Sequence, residues 1–194
     1  MDSIHKMEHF NTYTEELFRF SQEEAEMLME GGDAVSLKKG ETLYNAGDPN
    51  EYIFYMSRGS VKFHIIYPDG SSQTTAFSRA PSIVGVINLN PAQTAANSCT
   101  ALTRCEFRTL PIGLFMERLR KYDLMEKMLF FSVGAARHAY LNLLALHSGD
   151  RIRLTDTLRN KCGLTLQETA DYIGCSRVHV SRLLKQYKQS RVQD

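Results

Sequence analysis

The spacing of hydrophobic positions changes between residues 34 and 110, where alternation replaces a helical period. Short runs of β-branched and aromatic residues are separated there by glycine turns: AVSL, ETLY, YIFYMS, SVKFHIIY, QTTAFS, SIVGVINL and CEFRTL. Short strands at this spacing predict a β sandwich or barrel rather than parallel βαβ units. Ahead of them, Ser21 and Glu24 have the spacing of a capping box, which predicts a helix that ends near Gly31 and Gly32.

A helical period returns after residue 111. Ile112, Phe115 and Leu119 predict one short helix. Residues 123–147 then carry two apolar stripes: Leu124, Met128, Phe131, Ala135, His138, Asn142 and Ala145, and Met125, Leu129, Ser132, Ala136, Ala139, Leu143 and Leu146. A helix that is apolar on several faces needs cover on more than one side. We expect the barrel on one side and the same helix of a second copy on the other. The alternative is burial within one subunit.

Residues 164–188 predict two short helices joined by a tight turn. Thr165 and Glu168 form a second capping box, Gly174 and Cys175 make the turn, and the next helix begins near Ser176. Such a pair with a basic second helix is typical of a helix-turn-helix, which places that helix in the DNA major groove. The alternative is an amphipathic pair that caps a core. Residues 172–193 hold five Lys or Arg and no acid, which favours DNA binding.

Composition limits the class of protein. The 194 residues are 43% hydrophobic and 23% charged, enough for a buried core in one or two domains. Apolar runs are shorter than the ~18 residues of a membrane span, and the start of the chain is unlike a signal peptide. Four cysteines without paired spacing indicate reduced thiols in a cytoplasmic protein. Residues 149–194 carry a net +4 and residues 1–148 a net −3, so one end suits a polyanion.

A barrel, a long helix and a helix-turn-helix, in this order, resemble the bacterial regulators that include the catabolite activator protein and the oxygen sensor FNR. ETADYIGCSRVHVSRLLK resembles the DNA-reading motif of that family, and KKGETLYNAGDPNEYIFYMSRGSVKFHIIYPDG resembles its sensor barrel. The resemblance implies an α+β fold with a β jelly-roll sensor domain (1–122), a dimerisation helix (123–147) and a helix-turn-helix domain (148–194). It also implies a cytoplasmic, homodimeric transcription regulator without enzymatic activity or a cofactor. The implied partners are double-stranded DNA, a small-molecule effector and RNA polymerase, but no membrane.

The same resemblance implies DNA-binding roles for Arg177, Val178, Ser181, Arg182 and Lys185. Arg182 stands where family members pair an arginine with guanine, and Ser181 stands where the oxygen-sensor branch has a base-contacting serine. Lys185 and Lys188 resemble backbone contacts. Val178 replaces a glutamate that accepts from cytosine in many members. Because valine can instead touch a thymine methyl group, we expect an A·T-rich half-site.

The effector region departs from the cyclic-nucleotide-binding members, in which a glutamate follows the glycine and an Arg-Ser pair holds the phosphate. Here Val86 follows Gly85, and residues 94–97 (TAAN) lack arginine. Burying a cyclic phosphate without such a partner is costly, so we expect that the chain does not sense cyclic AMP. The wall residues predict a small, neutral, apolar or aromatic effector. They are Phe77, Val84, Val86, Ile87, Leu89, Phe131 and His138.

Other sensing chemistries find less support. The runs SVKFHIIYPDG, SIVGVINLNP and VHVSR look nearest to the branch that controls dehalogenation genes, which implies halogenated aromatic effectors. An iron–sulfur sensor needs a cysteine cluster near the N-terminus, but the first cysteine is Cys99. The candidates for a haem ligand are His64 and His138. A redox switch between Cys99 and Cys105 stays open, since we expect both on one face of one strand.

Two further functions remain as alternatives. The sequence ends at QYKQSRVQD, where the family has a winged hairpin after the recognition helix, so we expect a truncated wing. A truncated paralogue would sense ligand and act through protein pairing without binding DNA. An enzyme on a cupin-like barrel would need several histidines and a glutamate around a metal, and the strand region offers His64 alone.

Overall fold

The computed structural model describes residues 20–70, 72–147, 155–156, 159 and 165–190, without the side chains of 138, 139, 141–147, 187, 188 and 190. Helix α1 (Gln22–Leu28) precedes eight strands. These are β1 (Asp33–Leu37), β2 (Thr42–Tyr44), β3 (Tyr52–Arg58), β4 (Ser60–Ile66), β5 (Ser72–Arg79), β6 (Ser82–Val84), β7 (Ser98–Ala101) and β8 (Cys105–Pro111). The helices with described bounds that follow are α2 (Ile112–Lys121), α3 (Met125–His147), α4 (Leu166–Ile173) and α5 (Arg177–Ser190).

The strands form two four-stranded sheets with the orders β1-β8-β3-β6 and β2-β7-β4-β5. β8 pairs antiparallel with β1 and β3, β3 pairs antiparallel with β6, and β2 pairs antiparallel with β7. Strands that are neighbours within a sheet are separated along the chain by strands of the other sheet. The exception is the β4–β5 hairpin, whose strands are consecutive. This arrangement confirms the predicted jelly-roll within an α+β fold.

The run SIVGVINL does not form a single strand. β6 ends at Val84 because Gly85 adopts a left-handed conformation with a φ of 96°, and residues 86–88 then form a 3-10 turn. Strand β7 was not predicted, since its sequence SCTA lacks the bulky residues typical of strands. The prediction that Cys99 and Cys105 share one strand is wrong: they lie on β7 and β8, which belong to different sheets.

One apolar cluster joins the helices of the first half to the sheet of β3 and β8. Ile53 and Leu110 from the strands pack with Leu28 of α1, Phe115 of α2 and Met128 of α3. All five side chains are at most 2% exposed. Helix α1 begins as predicted, with a capping box in which Ser21 Oγ accepts from the backbone N–H of Glu24 at 3.1 Å.

The described residues form two compact units. One comprises those of 20–62 and 77–138, and the other comprises those of 63–76 and 139–190. The tip of the β4–β5 hairpin therefore groups with the helix-turn-helix rather than with the rest of the barrel sequence. The predicted domain limits at 122/123 and 147/148 remain a prediction. Within the part of the chain that the structure describes, no helix is long and apolar enough to cross a membrane.

Candidate functional site

Helices α4 and α5 form the predicted helix-turn-helix. Thr165 Oγ1 accepts from the backbone N–H of Glu168 at 3.2 Å, and a Glu168 carboxylate oxygen accepts in return from Thr165 N–H at 2.7 Å. Gly174 ends α4 in the left-handed region with a φ of 68°. Ser176 Oγ then accepts from His179 N–H at 3.3 Å and caps the first turn of α5. The local sequence thus fixes both ends of the turn.

The two helices pack through one apolar face. Ala170, Tyr172 and Ile173 of α4 are between 1% and 4% exposed. Val180 of α5 is fully buried and Leu183 is 7% exposed. These positions follow the helical period and match the predicted packing face. Because α5 is held along this side, its opposite side is exposed within the part of the chain that the structure describes.

The predicted DNA-binding residues lie on that opposite side. Arg177, Val178, Ser181, Arg182 and Lys185 are all exposed. The first four line one depression of about 530 Å³, together with Leu166 at the start of α4. The structure therefore brings four of the five together, and Lys185 lies one turn further along α5.

The chemistry of this face is cationic with one apolar element. The sequence of α5, RVHVSRLLKQYKQS, contains no Asp or Glu. Val178 is 62% exposed, which is unusual for a branched apolar side chain that neighbours two arginines. Arginine forks pair with guanine edges and phosphates, and a methyl-bearing side chain contacts thymine. The face can thus both neutralise a polyanion and read base edges.

The predicted effector residues do not form a single wall. Val86, Leu89 and Phe131 belong to or pack against the helix-side apolar cluster of α1, α2 and α3. Val84 pairs with Phe54 across β6 and β3 and is 1% exposed, whereas Ile87 is 47% exposed. Phe77 is half-buried on β5, and the side chain of His138 lies outside the described residues. The split follows from the 3-10 turn after Gly85, which sequence periodicity did not predict.

Between the two sheets lies an aromatic cluster that the sequence did not single out. Tyr44 of β2 stacks on Phe54 of β3 with ring centroids 6.0 Å apart. Phe54 meets Phe107 of β8 edge-on at 6.5 Å. Since β2 belongs to one sheet and β3 and β8 to the other, these rings fill the space between the sheets. Val84, opposite Phe54 in the pairing, faces the same space.

Buried neutral polar groups border this aromatic cluster. Burial raises the pKa of Tyr44 above its ordinary value, the neighbouring Cys99 raises it further, and the nearby amide of Asn88 lowers it in part. Asn88 Oδ1 accepts from the backbone N–H of Ala96 at 3.3 Å. Asn97 is 6% exposed, and its Oδ1 atom has no hydrogen-bond partner among the described residues. The sequence does carry a signal for these two residues. Asn88 lies in the run VINL and Asn97 in the run AANSC, where most neighbouring residues are apolar or small.

The two barrel thiols are poor candidates for redox chemistry. Cys99 and Cys105 are both fully buried. Burial raises the pKa of Cys99, and the proximity of Cys105 raises it further. Cys105 Sγ donates to the carbonyl oxygen of Ser60 at 3.3 Å. Since the thiolate is the reactive form, the raised pKa makes Cys99 a packing group, and burial shields Cys105 from reagents in solvent.

Helix α3 divides its apolar residues differently from the two predicted stripes: Met125 of the second stripe packs against the core cluster, and the exposed side includes Val133 and Tyr140, which neither predicted stripe contained. Met128 of the first stripe is buried and Phe131 and Ala135 pack against the core cluster. The outer side carries an exposed apolar stripe of Leu129 (60% exposed), Val133 (56%), Ala136 and Tyr140 (61%). These positions are spaced four, three and four residues apart, which is a coiled-coil spacing.

Family models match both halves of the chain. Residues 34–122 match the cyclic nucleotide-binding domain, and residues 163–192 match the bacterial regulatory proteins of the crp family. The chain is 26% identical over 176 residues to the global nitrogen regulator of Synechococcus elongatus, covering 80% of this chain and 78% of the relative.

Two solved structures share the fold. The c-di-GMP responsive global regulator CLP of Xanthomonas campestris superposes with a TM-score of 0.70 at 18% identity, over 86% of this chain and 91% of its own. FixK2 of Bradyrhizobium japonicum superposes with a TM-score of 0.69 at 20% identity, over 82% and 85%. The order of sensor barrel, long helix and helix-turn-helix is therefore shared with known regulators.

Proposed function

The chain belongs to the CRP/FNR family of bacterial regulators, and from this premise we propose that it binds palindromic, A·T-rich DNA as a homodimer. A small apolar or aromatic effector other than cyclic AMP controls that binding. Effector binding shifts the long helices and re-aims two recognition helices, which enter successive major grooves ~34 Å apart. RNA polymerase is a further partner in this proposal.

One observation carries the proposal: the exposed side of α5 is free of acidic residues and surrounds a depression with Arg177, Val178, Ser181 and Arg182. A helix pair that only capped a core would have no reason to concentrate cations on its open side. In this proposal Arg177 and Arg182 contact phosphate or guanine, and Val178 contacts a thymine methyl group. This combination supports duplex DNA as the ligand.

The exposed stripe of α3 supports the homodimer. Leu129, Val133 and Tyr140 are each more than half exposed, although they alternate at coiled-coil spacing. A second copy of the same helix in a parallel pair covers this stripe and is consistent with two-fold symmetry. A palindromic operator matches such a dimer because each half-site meets one subunit.

The ligand region supports a neutral effector. Val86 is 8% exposed within an apolar cluster at the position where cyclic-nucleotide-binding members carry glutamate. Asn88 supplies an uncharged amide near the ring of Tyr44, and Asn97 carries a buried Oδ1 atom without a partner among the described residues. Such groups hydrogen-bond to a neutral molecule but do not balance the charge of a phosphate. A small aromatic molecule with one hydrogen-bond donor fits this chemistry.

The DNA proposal is tested with Arg182→Ala and fluorescence anisotropy on an A·T-rich palindrome. We expect a loss of about 1–3 kcal/mol in binding free energy, because a specific arginine–base contact is removed. Arg104→Ala is the matched control, since it removes the same charge from an exposed turn of the barrel. Equal affinities for the two variants would contradict the role of Arg182.

The effector proposal is tested by calorimetric titration of the wild-type protein with cyclic AMP and with 2-chlorophenol as a neutral aromatic probe. We expect a heat of binding with 2-chlorophenol and none with cyclic AMP. Asn97→Leu should lower the affinity for the phenol without lowering the thermal midpoint, because the lost Oδ1 atom has no partner within the described chain. Binding of cyclic AMP, or unchanged phenol affinity in Asn97→Leu, would refute this assignment.

A regulator that senses a ligand and acts by protein pairing, without binding DNA itself, is the second candidate. The exposed stripe of α3 is compatible with it, because that stripe serves pairing whether or not DNA is bound. The two candidates differ in one result. A wild-type protein that dimerises but fails to bind any palindrome at low salt would support pairing alone.

A further inference from the structure

Strand β5 makes a direct hydrogen bond to the helix-turn-helix. The side-chain amide of Gln73 donates from Nε2 to the carbonyl oxygen of Tyr172 at 2.7 Å, and to the carbonyl oxygen of Thr74 at 3.0 Å. Gln73 and Tyr172 lie 99 residues apart in the sequence but belong to the same compact unit. The family model for the helix-turn-helix covers residues 163–192 and does not include Gln73.

The acceptor of this bond is one of the carbonyl groups that a helix leaves open at its C-terminus. The last carbonyls of a helix have no N–H partner within it. In α4, the N–H groups of Gly174 and Cys175 both go to the carbonyl oxygen of Ala170. The carbonyl of Tyr172 accepts from Gln73 of β5, so this side chain contributes a donor to the helix end.

The turn is shaped to admit the Gln73 side chain. Gly174 has a φ of 68°, and a Cβ atom at this position would lie 3.2 Å from Gln73 Oε1. Such a contact is closer than side chains ordinarily tolerate. Glycine at 174 thus serves both the left-handed backbone and the close approach of Gln73. Tyr172, 1% exposed, fixes the same turn from the core side.

We propose that Gln73 is a positioning residue for the recognition helix. By holding the carbonyl of Tyr172, it sets the turn from which α5 departs at Arg177, and so sets the direction in which the reading residues face DNA. The same strand leads in four residues, about 13 Å, from Gln73 to Phe77, one of the predicted effector residues. The inference rests on the proposed DNA-binding function and adds a residue outside the helix-turn-helix to it.

The test compares two substitutions that differ in hydrogen-bond donation. Gln73→Met keeps the length of the side chain but removes the donor. Gln73→Lys keeps a donor, and a cation is favourable at a helix C-terminus. Gln93→Met is the control, because Gln93 is exposed on a loop of the other compact unit. All variants also carry Cys162→Ser, so that Cys162 does not contribute to the thiol reaction that is measured.

The first readout needs no DNA. Cys175 follows Gly174 in the turn and is partly exposed, whereas Cys99 and Cys105 are buried. The rate at which a thiol reagent reacts with Cys175 therefore reports how firmly the turn is held. We expect a faster reaction in Gln73→Met, and wild-type rates in Gln73→Lys and Gln93→Met.

The second readout is the ratio of affinities for the A·T-rich palindrome and for a scrambled duplex. We expect Gln73→Met to lower this ratio roughly two- to tenfold, the effect of one net hydrogen bond, with recovery in Gln73→Lys. General unfolding would weaken binding to both duplexes alike, and Gln73→Lys would not restore it. An unchanged or raised ratio in Gln73→Met, or no recovery in Gln73→Lys, overturns the proposal. If the wild type binds no duplex, the proposed function fails, and the thiol rates still decide whether Gln73 holds the turn.

Discussion

Lys127 joins the long helix to the first helix through one partly buried ion pair. Its Nζ atom lies 2.6 Å from Glu24 Oε2 and 2.8 Å from Oε1. It also lies 5.5 Å from the centroid of the Phe20 ring. Partial burial by itself raises the pKa of Glu24, but hydrogen bonds from Lys127 and from the Ser21 backbone outweigh it and leave the pKa below its ordinary value of 4.5.

This depressed pKa gives a pH-dependent contribution to stability. A carboxyl group with a lowered folded-state pKa stabilises the fold above its unfolded pKa, and this contribution is lost as the pH falls through the folded value. We expect Glu24→Gln to lower the free energy of unfolding by about 0.5–1 kcal/mol near neutral pH. The difference from wild type should vanish well below pH 4.5, because both side chains are then neutral.

Urea unfolding at several pH values measures this effect, with Glu23→Gln as the control. Glu23 lies beside Glu24 in α1 but is exposed. A difference between Glu24→Gln and wild type that persisted unchanged in acid would rule out the ion pair as its source.

The residues that the sequence could identify are those whose role depends on near neighbours in the chain. Thr165 and Glu168 are three residues apart, and their capping box requires nothing else. Gly174 likewise follows from the end of a helical pattern. Gln73 carries no such local signal, because its role depends on a contact with a residue 99 positions away in the sequence. Its role became visible only in three dimensions.

At the level of elements, helix α3 has one face in the core and an exposed apolar stripe on the other. Burying Leu129, Val133 and Tyr140 against a second copy removes apolar surface from water, which stabilises the pair. A charge within such an interface is unfavourable because it has no partner there.

We therefore expect Leu129→Glu to convert the dimer to a monomer without unfolding the subunit. Sedimentation velocity measures the change. Leu114→Glu is the matched control, because Leu114 lies on α2 and is 38% exposed. A Leu129→Glu protein that sedimented like the wild type would show that another surface forms the dimer, or that none does.

Elements with a clear period were predictable, and short ones were not. The 23-residue helix α3 differs little from the predicted range of 123–147, since its pattern repeats over many turns. The failures lie around residues 82–101, where the left-handed Gly85 interrupts a run that looks continuous. Strand β7, SCTA, forms because it pairs with β2, and that pairing is not encoded in its own four residues.

At the scale of the whole chain, the cationic face of α5 was predictable, whereas the grouping of the proposed effector residues was only partly so. Arg177, Val178, Ser181 and Arg182 come from one helix, so periodicity alone places them on one side. The effector residues come from two strands, a turn and a helix. Some of them face the space between the two sheets, and others belong to the helix-side cluster. This division depends on how the sheets pack, which the sequence pattern does not encode.

The central claim is that the cationic side of α5 binds DNA in a dimer. The most direct test is anisotropy titration of a labelled A·T-rich palindrome with the wild-type protein at increasing salt. If Lys185 and Lys188 of each subunit make the four phosphate contacts proposed for them, the logarithm of the binding constant should fall against the logarithm of salt with a slope of roughly −3.6. The palindrome should also bind more tightly than a scrambled duplex throughout. Absence of binding at low salt, or a binding constant that does not depend on salt, would contradict the account.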